Sequence, residues 1–341
     1  MIKVLPVHEA VGAVLCHDIT RIVKGESKGP AFKKGHVITE QDISLLLDVG
    51  KEHIYALELV PGVLHENEAA ERIAKAAAGP GLRLSDTSEG RVNLLAEFTG
   101  LLKIDVDALF QLNSIPDVIF GTLHTNHRVA AGRAVAGTRV IPLVVEEDKV
   151  IQAEEVCRKY YPLVQVKPFA AWRIGVVTTG SEVFHGRIKD EFGPVVDKKF
   201  AELGSQVMRQ VLVSDQTDMT VQAVYDLIAE GAQMVVVTGG MSVDPDDQTP
   251  ASIRATGADV VTYGAPAFPG AMFMLAYIGD IPVVGLPGCV MYYNATIFDL
   301  VVPRLLAGER VTRDDIVAMG HGGFCAGCAE CRYPLCSFGK N

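Results

Sequence analysis

The residues from 171 onward predict a doubly wound α/β domain with a mostly parallel sheet, preceded by a smaller α+β region and followed by a cysteine-rich tail. Three observations predict it. Short apolar runs alternate with helical stretches at the spacing of βαβ units. The helices are closed by Gly204, Gly231 and Gly257, because glycine enters the left-handed conformation of a helix end without a Cβ clash. The run Met234-Val235-Val236-Val237 has no polar break, the pattern of a strand buried on both faces.

In chain order, strands are predicted at 173–178, 206–213, 234–237, 259–263, 272–277 and 281–285. Helices are predicted at 195–203, 217–230, 249–256 and 292–306. Thr249 is expected to be the N-cap of the third helix, with Pro250 at the first helical position. Residues 1–60 read as a small α/β unit. Its helix starts after Thr39 as N-cap, turns Ile43, Leu46 and Leu47 to one face, and stops at Gly50. A strand follows at 53–57, and Pro61-Gly62 marks a boundary. The region 61–170 is expected to carry helices at 66–78, 92–102, 106–112 and 151–160, and strands at 117–122 and 140–145. His124 and His127 read as solvated loop residues rather than ligands. The domain proper is placed at 171–310 and the tail at 311–341.

A chain of 341 residues holds two or three domains with a sizeable core. The formal net charge is −10, so a nucleic-acid partner, which needs a basic face, is not expected. No apolar run is long enough to span a bilayer, and the first residues lack the apolar core of a signal peptide. Cys16, Cys157 and Cys289 are scattered while the other four crowd the tail, which is no disulfide framework. A reducing cytoplasm is the expected setting.

Four loops leave strand ends in the predicted domain. They carry Thr179-Gly180-Ser181-Glu182, then Ser214-Asp215, then Thr-Gly-Gly-Met-Ser-Val-Asp-Pro-Asp-Asp-Gln-Thr-Pro at 238–250, then Gly285-Leu286-Pro287-Gly288-Cys289. In a parallel sheet such loops converge on one edge. Gly239 and Gly240 let the backbone approach a ligand, and the start of the helix at Thr249 suits a phosphate. Glu182, Asp215 and Asp247 are expected to meet around a divalent ion, Mg²⁺, which relieves their repulsion of a phosphate. Asp218, Asp244 and Asp246 read instead as helix-capping or solvated turn residues.

The segments T-T-G-S-E-V at 178–183, T-G-G-M-S-V-D-P-D-D-Q-T-P at 238–250 and G-L-P-G at 285–288 resemble the molybdopterin-binding domain. Bacterial molybdopterin molybdotransferase, molybdopterin adenylyltransferase and the competence-damage-inducible family share that domain. The resemblance covers about residues 172–308. It implies a ligand, molybdopterin or its adenylylated form, and Mg²⁺. By position it implies catalytic roles for Asp247, Asp215 and Glu182, with Asp247 and Asp215 on the metal. It implies ligand contacts from Thr179, Gly180, Ser181, from Thr238, Gly239, Gly240, Ser242, Thr249, and from Pro287, Gly288 and Cys289. The resemblance to the molybdotransferase is strengthened by V-H-E-A-V-G-A-V-L at 7–15 and by the P-x-L-L-x-G pattern at 303–308. Implied partners are molybdate, an apo-molybdoenzyme and further copies of the chain.

The sequence departs from the molybdotransferase pattern at three places. Ala271 stands where that family has a lysine, and Cys289 where it has an asparagine. Cys289 reads equally as a soft ligand for molybdenum or a dithiolene and as a small buried filler. The tail carries Cys325, Cys328, Cys331 and Cys336 with spacing C-x2-C-x2-C-x4-C. That spacing suits Zn²⁺ or an iron–sulfur cluster, against the alternative of a metal-free flexible tail. Three functions follow: metal insertion into molybdopterin, non-catalytic carriage of the cofactor, or nucleotide pyrophosphate hydrolysis, for which G-x-x-x-D at 186–190 offers some support.

Overall fold

The computed structural model describes residues 2–21, 29–57, 61–141, 143–245 and 247–340. The chain folds as two compact units. Unit 1 comprises Met1–Phe98, Lys103–Leu123 and Ala131–Val166, and unit 2 comprises Thr99–Leu102, His124–Ala130 and Lys167–Asn341. No helix among the described residues is long and apolar enough to cross a membrane.

In unit 1, strand Ile2–Pro6 pairs antiparallel with His53–Leu57, and Val7, Leu15, Ile38, Leu46 and Ile54 form a small core. The first helix begins at Asp42, not directly after Thr39. The Asp42 carboxylate accepts from the Thr39 N–H at 2.8 Å and its hydroxyl at 2.7 Å, so Thr39 closes the turn before the helix. Helices at Glu66–Ala77, Val106–Asn113 and Glu147–Lys159 fall where expected.

The helix expected at 92–102 does not exist. Arg91–Ala96 and Gly100–Ile104 are strands, and Val92, Leu94 and Ala96 are buried in alternation. That period of two belongs to a strand. Leu95, apolar on the opposite face, blurs it when the segment is read alone. The strand expected at 140–145 also divides. Ala134–Val140 joins a four-stranded antiparallel sheet, and Val144–Glu146 pairs elsewhere with Val63–His65. Between the two strands, Pro142 lies outside the described residues.

His65 is held neutral inside unit 1. Its Nε2–H donates to the Cys16 carbonyl at 2.5 Å, while Nδ1 accepts from the Asn67 amide at 3.1 Å and Lys34 Nζ at 2.7 Å. Burial pushes its pKa below the ordinary 6.5, and the Lys34 charge adds to this although the Cys16 carbonyl opposes it. Burial depresses His17 in the same way. The unfolded chain therefore binds more protons just below pH 6.5, and stability is full above that pH and lost as pH falls through the depressed values. We expect the midpoint of thermal unfolding to drop between about pH 7.5 and 5.5, and His65→Gln to flatten that part of the profile. An unchanged slope in the variant would assign the acid sensitivity elsewhere.

In unit 2, six strands form one sheet: β1 (Arg173–Thr179), β2 (Gln206–Val213), β3 (Met234–Thr238), β4 (Asp259–Tyr263), β5 (Met274–Ile278) and β6 (Ile281–Leu286). Their order is β2-β1-β3-β6-β5-β4. β2, β1, β3 and β6 run parallel, and β5 is antiparallel to both its neighbours. The longer helices are α1 (Phe192–Ala201), α2 (Thr217–Ala229), α3 (Thr249–Ala255) and α4 (Ile297–Leu306), with shorter ones at Ser181–Phe184 and Arg313–Ala318.

Alternate residues of each strand feed two cores, so both faces are covered. Ile174, Val176, Met234 and Val236 pack with α1 and α4. Val177, Val235 and Val237 pack with α2 and α3. This is the doubly wound arrangement expected from the alternation of elements. The last helix is shorter than the expected 292–306. Thr296 caps it in a capping box with Asp299, and this reciprocal bonding holds the residues before Thr296 outside the helix.

Candidate functional site

Strand order reverses between β1 and β3, and the loops after their carboxyl ends open on a cleft of about 1000 Å³. The loop after β6 forms a further wall. Of the residues singled out from sequence, Thr179, Glu182, Gly239, Gly240, Ser242, Asp247, Pro287, Gly288 and Cys289 line this cleft. Gly180, Ser181, Thr238, Thr249 and Asp215 are not among its lining residues.

The second group builds the loops. Gly239 and Gly240 have φ of +85° and +52°, and a side chain on Gly239 would overlap the Thr179 carbonyl oxygen. The β1 and β3 ends therefore touch through bare backbone. Thr249 clamps the turn: its hydroxyl donates to the Gly239 carbonyl at 2.8 Å and its N–H to the Gly240 carbonyl at 3.1 Å. This corrects the expected N-cap. Gln248 is the cap residue, Thr249 is the first helical residue, and it is 1% exposed. The Thr249 hydroxyl and N–H are thus taken up by the chain's own carbonyls.

Thr238 Oγ1 donates to Thr178 Oγ1 at 3.0 Å, and Gln210 Nε2 donates both to Thr178 Oγ1 at 2.9 Å and to Asp190 Oδ2 at 2.6 Å. Asp190 in turn accepts the Phe192 and Gly193 amides, each at 3.0 Å, at the start of α1. This chain of bonds fixes the segment that leads into α1 along the cleft wall.

The carboxylates divide by what reaches them. Asp215 Oδ2 accepts the Ser181 amide at 2.8 Å and so holds the loop after β1. Asp247 Oδ2 accepts the Asp244 amide at 2.9 Å, and its own N–H returns to the Asp244 carbonyl at 3.0 Å. Asp246 lies outside the described residues. Glu182 and Asp247 face the cleft. Among the described residues no three His, Cys, Asp or Glu side chains gather as a metal site. The expected trio of Glu182, Asp215 and Asp247 around one ion is therefore not assembled, and neither are the four tail thiols.

Sequence reasoning missed several lining residues. Among the described residues, Lys189 is the one cationic residue that lines the cleft. It sits inside the 186–190 motif, where only the glycine and aspartate drew notice. Tyr292 and Tyr293 are exposed at the cleft, at 79% and 54%. Two adjacent tyrosines after a glycine turn were a usable signal, hidden by the helix expected there. Burial raises the Cys289 thiol above its ordinary pKa, so it stands in the cleft protonated. His127, expected in a solvated loop, is buried in the strand His127–Val129, whereas His124 is exposed.

Residues 175–307 match a family model described as "Probable molybdopterin binding domain". Residues 4–58 match one described as a domain of unknown function. Among curated proteins, a CinA-like protein of Mycobacterium sp. (strain MCS) is 34% identical over 91 residues, 26% of this chain and 21% of the relative. A molybdopterin molybdenumtransferase of Bacillus subtilis (strain 168) is 27% identical over 122 residues, 34% of this chain and 28% of the relative. The chain thus spans about a fifth to under a third of these relatives' length. Among solved structures, the molybdopterin biosynthesis enzyme MoaB from Thermus thermophilus aligns with a TM-score of 0.33 at 20% identity, covering 40% of this chain and 98% of that one. The tungsten cofactor synthesizing protein MoaB from Pyrococcus furiosus aligns with a TM-score of 0.33 at 22% identity, covering 40% and 91%. The match to the model described as "Probable molybdopterin binding domain" is confined to residues 175–307, the stretch that holds the glycine turn and the Gly-Leu-Pro-Gly loop.

Proposed function

We propose that unit 2 binds molybdopterin, or its adenylylated form, along the strand-end cleft and promotes metal insertion during cofactor assembly. One observation carries this: the loops after β1, β3 and β6 bring Thr179, Gly239, Gly240, Asp247, Pro287 and Gly288 to a single cleft. The bare glycine backbone admits a phosphate closely. Lys189 supplies positive charge to it. Tyr292 and Tyr293 offer faces for a planar ring.

The donor set suits Mg²⁺ that arrives on a phosphate rather than a resident ion. Mg²⁺ keeps several waters and takes one or two carboxylates besides phosphate oxygens, and Glu182 and Asp247 provide that number. Where bound, it would polarise a phosphoryl oxygen. Asp215 orients the loop that presents Glu182, and Thr249 holds Gly239 and Gly240 in place. The family resemblance also carries a homo-oligomer, which sedimentation would test.

We expect Asp247→Ala to lower cofactor loading of an apo-molybdoenzyme by about tenfold to a hundredfold. Undiminished loading counts against a catalytic role. Lys189→Ala should weaken binding of the phosphorylated pterin by about 1 kcal/mol, roughly fivefold in Kd, with less effect at high salt. A second reading, non-catalytic carriage of mature cofactor, is favoured by Ala271 at the cleft wall in place of the family's lysine. Binding without turnover would select it. Hydrolysis of ADP-ribose by the purified protein would instead select the pyrophosphatase reading that the CinA-like matches favour.

A further inference from the structure

The tail is not a loose end. Its segment from Phe324 to Phe338 is a loop tied at its base to unit 2. Phe268 N–H donates to the Gly323 carbonyl at 2.7 Å, and Cys325 N–H donates to the Phe268 carbonyl at 2.8 Å. On the return, Gly339 N–H donates to the Gly322 carbonyl at 2.9 Å. Phe338 is 3% exposed in the core shared with α4, and the hydroxyl of the half-buried Tyr333 donates to the Asp299 carbonyl at 2.8 Å. All four tail cysteines lie on this one closed loop, and all are free thiols. Cys325 and Cys336 pack against the core, whereas Cys328 and Cys331 are exposed.

We propose that this loop is a four-thiolate site for a soft metal centre, Zn²⁺ or an iron–sulfur cluster, and that its loading stiffens the wall of the cleft. The C-x2-C-x2-C-x4-C spacing supplies a full set of four thiolates within twelve residues, the ligand number of both centres. The two core-packed thiols are fixed points. Among the described residues, no three of these thiols gather in the structure, so a metal would have to draw the exposed pair inward, and Gly327, at φ +66° with nothing within 4 Å of an added Cβ, lies between Cys325 and Cys328 where the chain must turn. Sites of this kind close as the metal binds, when the thiols give up their protons to it.

The link to the cleft is one residue long. The amide of the first cysteine holds the carbonyl of Phe268, and Phe268, Pro269 and Gly270 line the cleft. A centre anchored at Cys325 thus bears directly on that wall. This inference does not depend on which ligand the cleft takes.

The full chain purified without oxygen should carry about one zinc, or about four iron with matching sulfide and broad visible absorbance, per chain. Those two results separate the two centres. Cys328→Ser/Cys331→Ser, which alters only exposed side chains, should abolish loading, while Glu330→Gln on the same loop should keep it. Removing the metal should speed hydrogen exchange at the Phe268 and Cys325 amides about tenfold or more. Metal-free protein from an anaerobic preparation, or loading that survives the double serine variant, overturns the site. Unchanged exchange at Phe268 in stripped, metal-free protein overturns the coupling to the cleft.

Discussion

Gly239→Ala is expected to destabilise unit 2 by about 4 kcal/mol, among the larger effects of a single methyl group. Two costs add. Alanine at φ +85° pays roughly 1–2 kcal/mol for the left-handed backbone. The new Cβ would also overlap the Thr179 carbonyl oxygen, and backbone cannot rotate away as a side chain can. The end of β1 must then move from β3, which opens the cleft where Thr179 and Gly240 meet. Gly257→Ala is the control. Gly257 has a similar φ of +73° but nothing within 4 Å of the added atom, so only about 1 kcal/mol is expected. In thermal unfolding the first variant should lose about 10 °C and the second a few degrees. Equal shifts would show that the contact with Thr179 does not constrain the loop.

Asp299→Ala should cost as much or more, about 4–5 kcal/mol, because two jobs end together. Both carboxylate oxygens of Asp299 accept from Lys199 Nζ at 3.0 Å. One of them also accepts the Thr296 amide at 2.8 Å in the capping box of α4. Burial pushes the Asp299 carboxyl above its ordinary pKa, and Lys199 pulls it back down. The net shift is upward, so keeping the pair charged costs some stability at neutral pH, but removing the carboxylate leaves a mostly buried ammonium with only the Asn294 carbonyl. Asp299→Asn keeps an acceptor for the Thr296 amide and should lose about half as much. Denaturant unfolding of the two variants measures the difference, and a harmless alanine would mean that Lys199 finds water instead.

Much of unit 2 was legible in the chain because its strands are short apolar runs closed by glycines. Such signals are local, so all six strands and the order of the helices could be read directly. The same reading failed at 92–102, where pairing of 91–96 with 82–84 and 134–140, and of 100–102 with 127–129, decides for strands over the expected helix. At the site, sequence identified the loops but not the work of each polar group. Thr249 looked like a cap and proved to be a clamp on two carbonyls. Asp215 looked like a metal ligand and holds the Ser181 amide.

By itself, then, the sequence determined a two-sided sheet, the edge at which its loops gather, and the glycines that let backbone meet backbone there. Only the tertiary structure decided which carboxylates face the cleft, that Lys189 and two tyrosines line it, and that the tail loop is tied to Phe268. The reason is physical. Burial of an apolar strand follows from its own residues, whereas a hydroxyl or carboxylate bonds to whichever donor or acceptor the fold brings within about 3 Å, and those partners stand well apart in the chain.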